Sequence, residues 1–150
     1  MGTLAEDAVA MAELISTALR SSGYAADFQP ASLWEIDRFF DENARDGRPT
    51  SRGMLSKDFG RRMFALGGYL GEVVRRQLGG EWYGDDTAPR GEIDMELRVP
   101  GGGIIWPMER CMKRLVNGPE DGIAGYGLGL GLNVGPAPAR PARRGFKRFR

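Results

Sequence analysis

The chain holds a single cysteine, Cys111, and no histidine. Those two facts narrow the available chemistry at once. Imidazole is the usual base for a serine or cysteine nucleophile, so Ser-His and Cys-His dyads are excluded, together with histidine-ligated zinc and haem. A lone thiol forms neither an internal disulfide nor a cysteine-cluster metal site. It can, however, be ionised by its surroundings. Pro107 stands where the first residue of a helix belongs, because its fixed φ suits that place, and this puts Cys111 about one turn inside. Arg110, Lys113 and Arg114 flank it, and residues three apart, such as Cys111 and Arg114, share a helix face. A helix N-terminus and neighbouring cations favour a thiolate. With no second cysteine to resolve an oxidised or persulfurated sulfur, the chemistry expected of Cys111, Arg110, Lys113 and Arg114 is sulfur donation, a carrier role or a covalent adduct with a small-molecule substrate, with no cofactor. Met108, Cys111, Met112 and Leu115 also fit a buried stripe at spacings of three and four, in which the thiol is only a small hydrophobe.

A second functional class comes from the distribution of charge. The net charge of +1 conceals a segregation: residues 134–150 carry Arg140, Arg143, Arg144, Lys147, Arg148 and Arg150 with no acid, whereas residues 1–133 carry 15 bases and 20 acids, a net −5. Phe146 and Phe149 lie among those cations. Such a segment suits phosphates, with its rings stacking on bases, and equally suits an anionic bilayer or the acidic body of the chain itself. The corresponding reading is a non-catalytic accessory or immunity-like interaction protein, whose basic tail attaches it to a protein partner or makes weak contact with nucleic acid.

Other patterns carry less chemistry. Glu92, Asp94 and Glu96 are two apart, which on a strand separates them by roughly 6.5 to 7 Å, far for one shared cation; a solvated strand face is the simpler reading. Asp85 and Asp86 read as turn residues. The glycines from Gly125 to Gly135 fail the Gly-x-Gly-x-x-Gly register, since the sixth position is Leu130, Leu132 or Val134, and there is no Walker lysine motif.

These residues sit in 150 residues of 16.4 kDa, 41% apolar and 27% charged, the composition of one globular domain. No stretch approaches the roughly 20 apolar residues of a spanning helix. The opening Met1–Asp7 lacks the cationic and apolar regions of a secretory signal, so the expected location is cytoplasmic.

Periodicity then supplies the elements. Leu4, Ala8, Met11, Ile15 and Leu19 share one helix face, stopped by Ser21-Ser22-Gly23. Ser32 and Glu35 match a capping box that opens a helix burying Leu33, Ile36 and Phe40, with Trp34 over its start and an end at Asp46-Gly47-Arg48-Pro49. Ser56 is expected to cap a third helix, with Phe59, Met63, Leu66, Leu70 and Val73 as its stripe. Gly67, Gly68 and Gly71 lie beside that stripe. Each costs up to about 1 kcal/mol against alanine in a helix, so three together imply close approach of another backbone.

After Gly79-Gly80, Glu81–Tyr83 reads as a short strand and Glu92–Val99 as a strictly alternating one. Pro100–Gly103 turns the chain, Ile104–Trp106 returns, and a helix follows from Pro107 to the break at Asn117-Gly118-Pro119. Tyr126–Val134 alternates with period two and is expected to be a strand with one bare face.

The run Leu66-Gly67-Gly68-Tyr69-Leu70-Gly71-Glu72-Val73-Val74, then Gly79-Gly80-Glu81-Trp82, with Trp106-Pro107 leading a last helix, resembles a loose group of small bacterial α+β proteins of unknown function. The likeness spans roughly residues 32 to 120 and implies a fold, not an activity. The expected architecture is a single α+β domain over residues 1–133, two or three amphipathic helices packed on a small antiparallel sheet, followed by a mobile basic tail over residues 134–150.

Overall fold

Glycines 67, 68 and 71 set how the layers of this protein meet. The structure, a computed structural model, describes residues 2–139; the tail residues Arg140, Arg143, Arg144, Phe146, Lys147, Arg148, Phe149 and Arg150 lie outside the described residues. Helix α3 (Phe59–Leu78) is buried without interruption from Met63 to Val74. A helix enclosed on every side needs partners at several azimuths, and each glycine seats a different one. A Cβ on Gly67 would stand 2.6 Å from the Cα of Met108, one on Gly68 would stand 2.6 Å from the carbonyl oxygen of Ala8, and one on Gly71 would overlap the Trp82 ring.

The partners are helix α1 (Leu4–Ser21), helix α4 (Pro107–Asn117) and a three-stranded antiparallel sheet. In that sheet β3 (Glu81–Tyr83), β4 (Glu96–Arg98) and β5 (Ile104–Ile105) pair in the order β3-β4-β5, with Trp82, Leu97 and Ile105 in register. Helix α2 (Leu33–Asn43) and the short helix α5 (Ile123–Gly129) complete the core. A two-residue hairpin, β1 (Ala44–Arg45) and β2 (Arg48–Pro49), follows α2. Its Asp46-Gly47 turn has φ of 55° and 77°, the positive pair that a type I′ turn demands. This is the α+β architecture expected from the sequence, with five helices among the described residues where two or three were counted.

Four local expectations change. Ser32 does not cap α2: Pro30–Ser32 forms a 3-10 turn, so Ser32 is already helical, and its hydroxyl is held by the Gln29 carbonyl at 2.6 Å and by Tyr69. Ser56 donates to the Gly53 carbonyl, and α3 instead starts after Asp58, a non-glycine residue at φ 50°. The Glu92–Val99 strand shrinks to Glu96–Arg98, because β3 offers only three residues to pair with. Residues 91–94 turn instead, with the Asp94 amide bonded to the Arg90 carbonyl. Tyr126–Val134 is not a strand. Its first part belongs to α5, which docks on α2 with Gly127 against Leu33, and Leu132 and Val134 are buried beyond it.

The glycine contacts yield a direct expectation. Gly68→Ala places a methyl group against backbone that cannot swing aside, and should lower unfolding free energy by about 1–3 kcal/mol. Gly60→Ala in the same helix has open space around it and should raise it by up to about 1 kcal/mol. Urea denaturation of both variants checks the contrast.

Candidate functional site

Helix α2 is amphipathic. Leu33, Ile36, Phe39 and Phe40 are buried, while Glu35, Asp37, Arg38, Asp41 and Glu42 fall on the sides left to water and to α4 and α5. Across from it stands Arg114 of α4, almost wholly buried. Its Nε donates to Asp37 Oδ1 at 2.9 Å, and its Nη2 donates to Asp41 Oδ1 at 2.7 Å and to the Asp37 carbonyl at 3.1 Å. The Asp37 carboxylate also accepts the backbone amides of Ile123 (2.8 Å) and Ala124 (2.9 Å), the first two residues of α5. One carboxylate therefore caps α5 and pairs with α4, which ties three helices in a single knot.

Above this knot lies an open groove of about 720 Å³. Its lining carries five carboxylates (Glu35, Asp37, Asp41, Glu42, Glu120) against three guanidinium groups (Arg38, Arg110, Arg114), together with the rings of Trp34 and Tyr126. Arg38 pairs with Glu35 at 2.9 Å and with Glu42 at 3.4 Å. Arg110 stacks over Tyr126 at 4.3 Å and reaches Asp121 at 3.4 Å. Glu120 is exposed and has no ion pair among the described residues. Trp34 Nε1 donates to the carbonyls of Val134 and Gly135, and the chain beyond them supplies Ala137, Pro138 and Ala139 to the groove wall.

The hydrogen bond from Arg38 holds the Glu35 carboxyl below its usual range, while burial raises the Tyr126 phenol. Both shifts move away from neutral pH, opposite to what a proton-transferring group requires.

The thiol expectation meets a different environment. The Cys111 sulfur is fully buried, between Met108 and Leu115 in the apolar stripe of α4. Desolvation, then the nearby Asp37 carboxylate, push the thiol from an ordinary 9.0 up to about 12. Arg110 and Arg114 pull in the other direction, but Arg110 is engaged by Asp121 and Tyr126, and Arg114 by Asp37 and Asp41. Lys113 is exposed, away from the sulfur's apolar surroundings. The water-facing thiolate expected from the sequence is thus replaced by a neutral core thiol, first because the sulfur is buried among apolar side chains and second because Arg110 and Arg114 are engaged by carboxylates.

The acidic row is dispersed as well: Glu92 and Asp94 are exposed in the turn, and Glu96 pairs with Arg98 at 3.0 Å. Among the described residues no three acidic, cysteine or histidine side chains are placed to hold a metal ion, and no helix is long and apolar enough to cross a membrane.

The sequence reading missed Asp37, Asp41, Glu42 and Glu120 as site residues. The one signal available was Asp37 and Asp41 at i, i+4 beside an apolar stripe, and their cationic partner is more than 70 residues away. No family model, curated protein or solved structure matches this chain.

Two outcomes follow. Native protein should react with iodoacetamide at Cys111 only as fast as it unfolds. Between pH 9 and about 12 the unfolded thiol has lost its proton while the folded one keeps it, so stability falls as pH rises; a Cys111→Ala chain should lose less across the first part of that range. Arg114→Ala should cost about 3 kcal/mol by leaving the half-buried Asp37 carboxylate without its counter-ion, held only by the two α5 amides, whereas Lys113→Ala should stay within about 0.5 kcal/mol. Denaturant midpoints at neutral pH measure both.

Proposed function

We propose that this protein is a non-catalytic interaction module, and that the acidic groove between α2, α4 and α5 receives an arginine-rich segment of a protein partner. The observation that carries this reading is the lining itself: an excess of carboxylates over guanidiniums, with two aromatic rings, in one open groove of about 720 Å³. A catalytic reading has less to stand on, since Cys111 is buried and neutral and both Asp37 oxygens are already bonded.

Exposed ion pairs contribute about 0.2–1 kcal/mol each, so a single cation gains little here and a run of them is needed. Arginine suits the site better than lysine, because its planar group both forks onto carboxylates and stacks on rings. Arg110 over Tyr126 already displays that packing within the protein. The association is salt-sensitive, since the rim charges face water.

Fluorescence anisotropy with fluorescein-labelled nona-arginine tests the reading. Binding is expected at low salt, stronger than that of nona-lysine and weakened by added salt. The double variant Glu42→Gln/Glu120→Gln should weaken it by about tenfold, which corresponds to about 1.4 kcal/mol. Equal binding of nona-glutamate, or no change in the double variant, would overturn the reading.

A further inference from the structure

We infer that the groove's first occupant is the chain's own segment from Arg140 to Arg150, which competes there with external cationic partners; this rests on the groove reading above. The residues that lead into that segment are placed by the structure. Trp34 Nε1 holds the carbonyls of Val134 and Gly135, and Ala137, Pro138 and Ala139 form part of the groove wall, so the described chain ends at the groove itself.

Charge and length then match. The segment carries six cations and no acid, against a lining in which carboxylates outnumber guanidiniums five to three. Eleven residues span up to about 36–40 Å when extended, more than twice the length of about 16 Å that the eleven residues of α2 present along one wall. Phe146 and Phe149 add apolar rings of the kind that pack on Trp34 and Tyr126.

Tethering supplies the remaining advantage. A segment joined by a short connection acts at an effective concentration in the millimolar range, so contacts too weak to hold a free peptide still keep the groove filled. An external partner then meets only the unoccupied fraction, and its apparent affinity falls by that fraction. Binding by this protein is accordingly self-limited, and a partner must outcompete six tethered cations to enter.

Because Cys111 is buried, a single Phe146→Cys substitution in the full chain gives a unique site for a nitroxide label. The expected result is selective loss of the Gly122, Gly125 and Tyr126 amide signals at low salt, restored by high salt, by added nona-arginine and by the Glu42→Gln/Glu120→Gln double variant. If those amides keep full intensity while nona-arginine still shifts them, the tail is not the occupant and the groove reading stands. If neither the label nor nona-arginine affects them, both fall.

Discussion

Helix α3 can be enclosed on all sides only because three of its residues lack a side chain. Gly67, Gly68 and Gly71 point towards α4, α1 and the Trp82 ring respectively, and no larger residue leaves room for all three approaches. The same helix fastens the sheet electrostatically. Glu72 is fully buried, and its carboxylate accepts from Trp82 Nε1 at 2.9 Å and from Arg75 at 2.6 Å. Desolvation alone would raise its pKa, but these donors and the charge of Arg76 hold it below the usual range. Glu72 therefore supports the fold above the range where carboxylates titrate in the unfolded chain, and that support is lost as pH falls through the lower folded value. The Tyr-Leu-Gly-Glu run thus has a structural meaning: Tyr69 accepts the Phe28 amide and bonds Ser32, Leu70 fills the core, Gly71 admits Trp82 and Glu72 holds it.

A second constraint follows from placing α4 against α3 through Gly67. That contact turns Arg114 towards α2, where a buried guanidinium is tolerable only with carboxylates beside it. Asp37 and Asp41 supply them, and the arrangement settles the fate of Cys111. Adjacency along a helix puts cations near the sulfur, but a cation bonded at 2.7–2.9 Å to carboxylates on another helix has little field left for a neighbour. Burial does most to keep the thiol neutral, and the Asp37 carboxylate in the floor of the groove adds to it.

Elements with strong local causes were legible in the sequence: the stripes of α1 and α3, the Pro107 start of α4, the Glu81–Tyr83 strand and the close backbone approach at Gly67 and Gly68. Gly71 admits the side-chain ring of Trp82 instead of a backbone. Identical patterns diverged where the preceding residue differed. Thr3-Leu4-Ala5-Glu6 forms a complete capping box, with bonds of 3.2 and 2.9 Å. Ser32-Leu33-Trp34-Glu35 does not, since Pro30 starts helical geometry early and Glu35 is drawn to the Ala25 amide and Arg38. The Gly/Leu alternation misled because period two is compatible with a short helix whose glycines face either water or, at Gly127, the methyl groups of Leu33. What fixes α5 as a helix is the Asp37 carboxylate, 86 residues earlier in the chain. The candidate site was hidden for the same reason: every contact defining it joins residues distant in sequence, and local reading weighs neighbours.

If the groove binds cations as proposed, it separates two tasks between different acidic residues. Asp37 and Asp41 are tied to Arg114 and to backbone amides, so their charge maintains geometry and is largely neutralised in place. At the rim, Glu42 is exposed but shared between Arg38 and the Tyr24 hydroxyl, whereas Glu120 is exposed with no ion pair among the described residues and keeps most of its field for an arriving cation. In the proposed reading, stability and recognition are carried by different residues of one surface. Charge at the rim can change with small cost to the fold, whereas charge at the floor cannot. A groove that binds as proposed is tuned by its edge, while its floor holds α2, α4 and α5 together through Asp37 and Arg114.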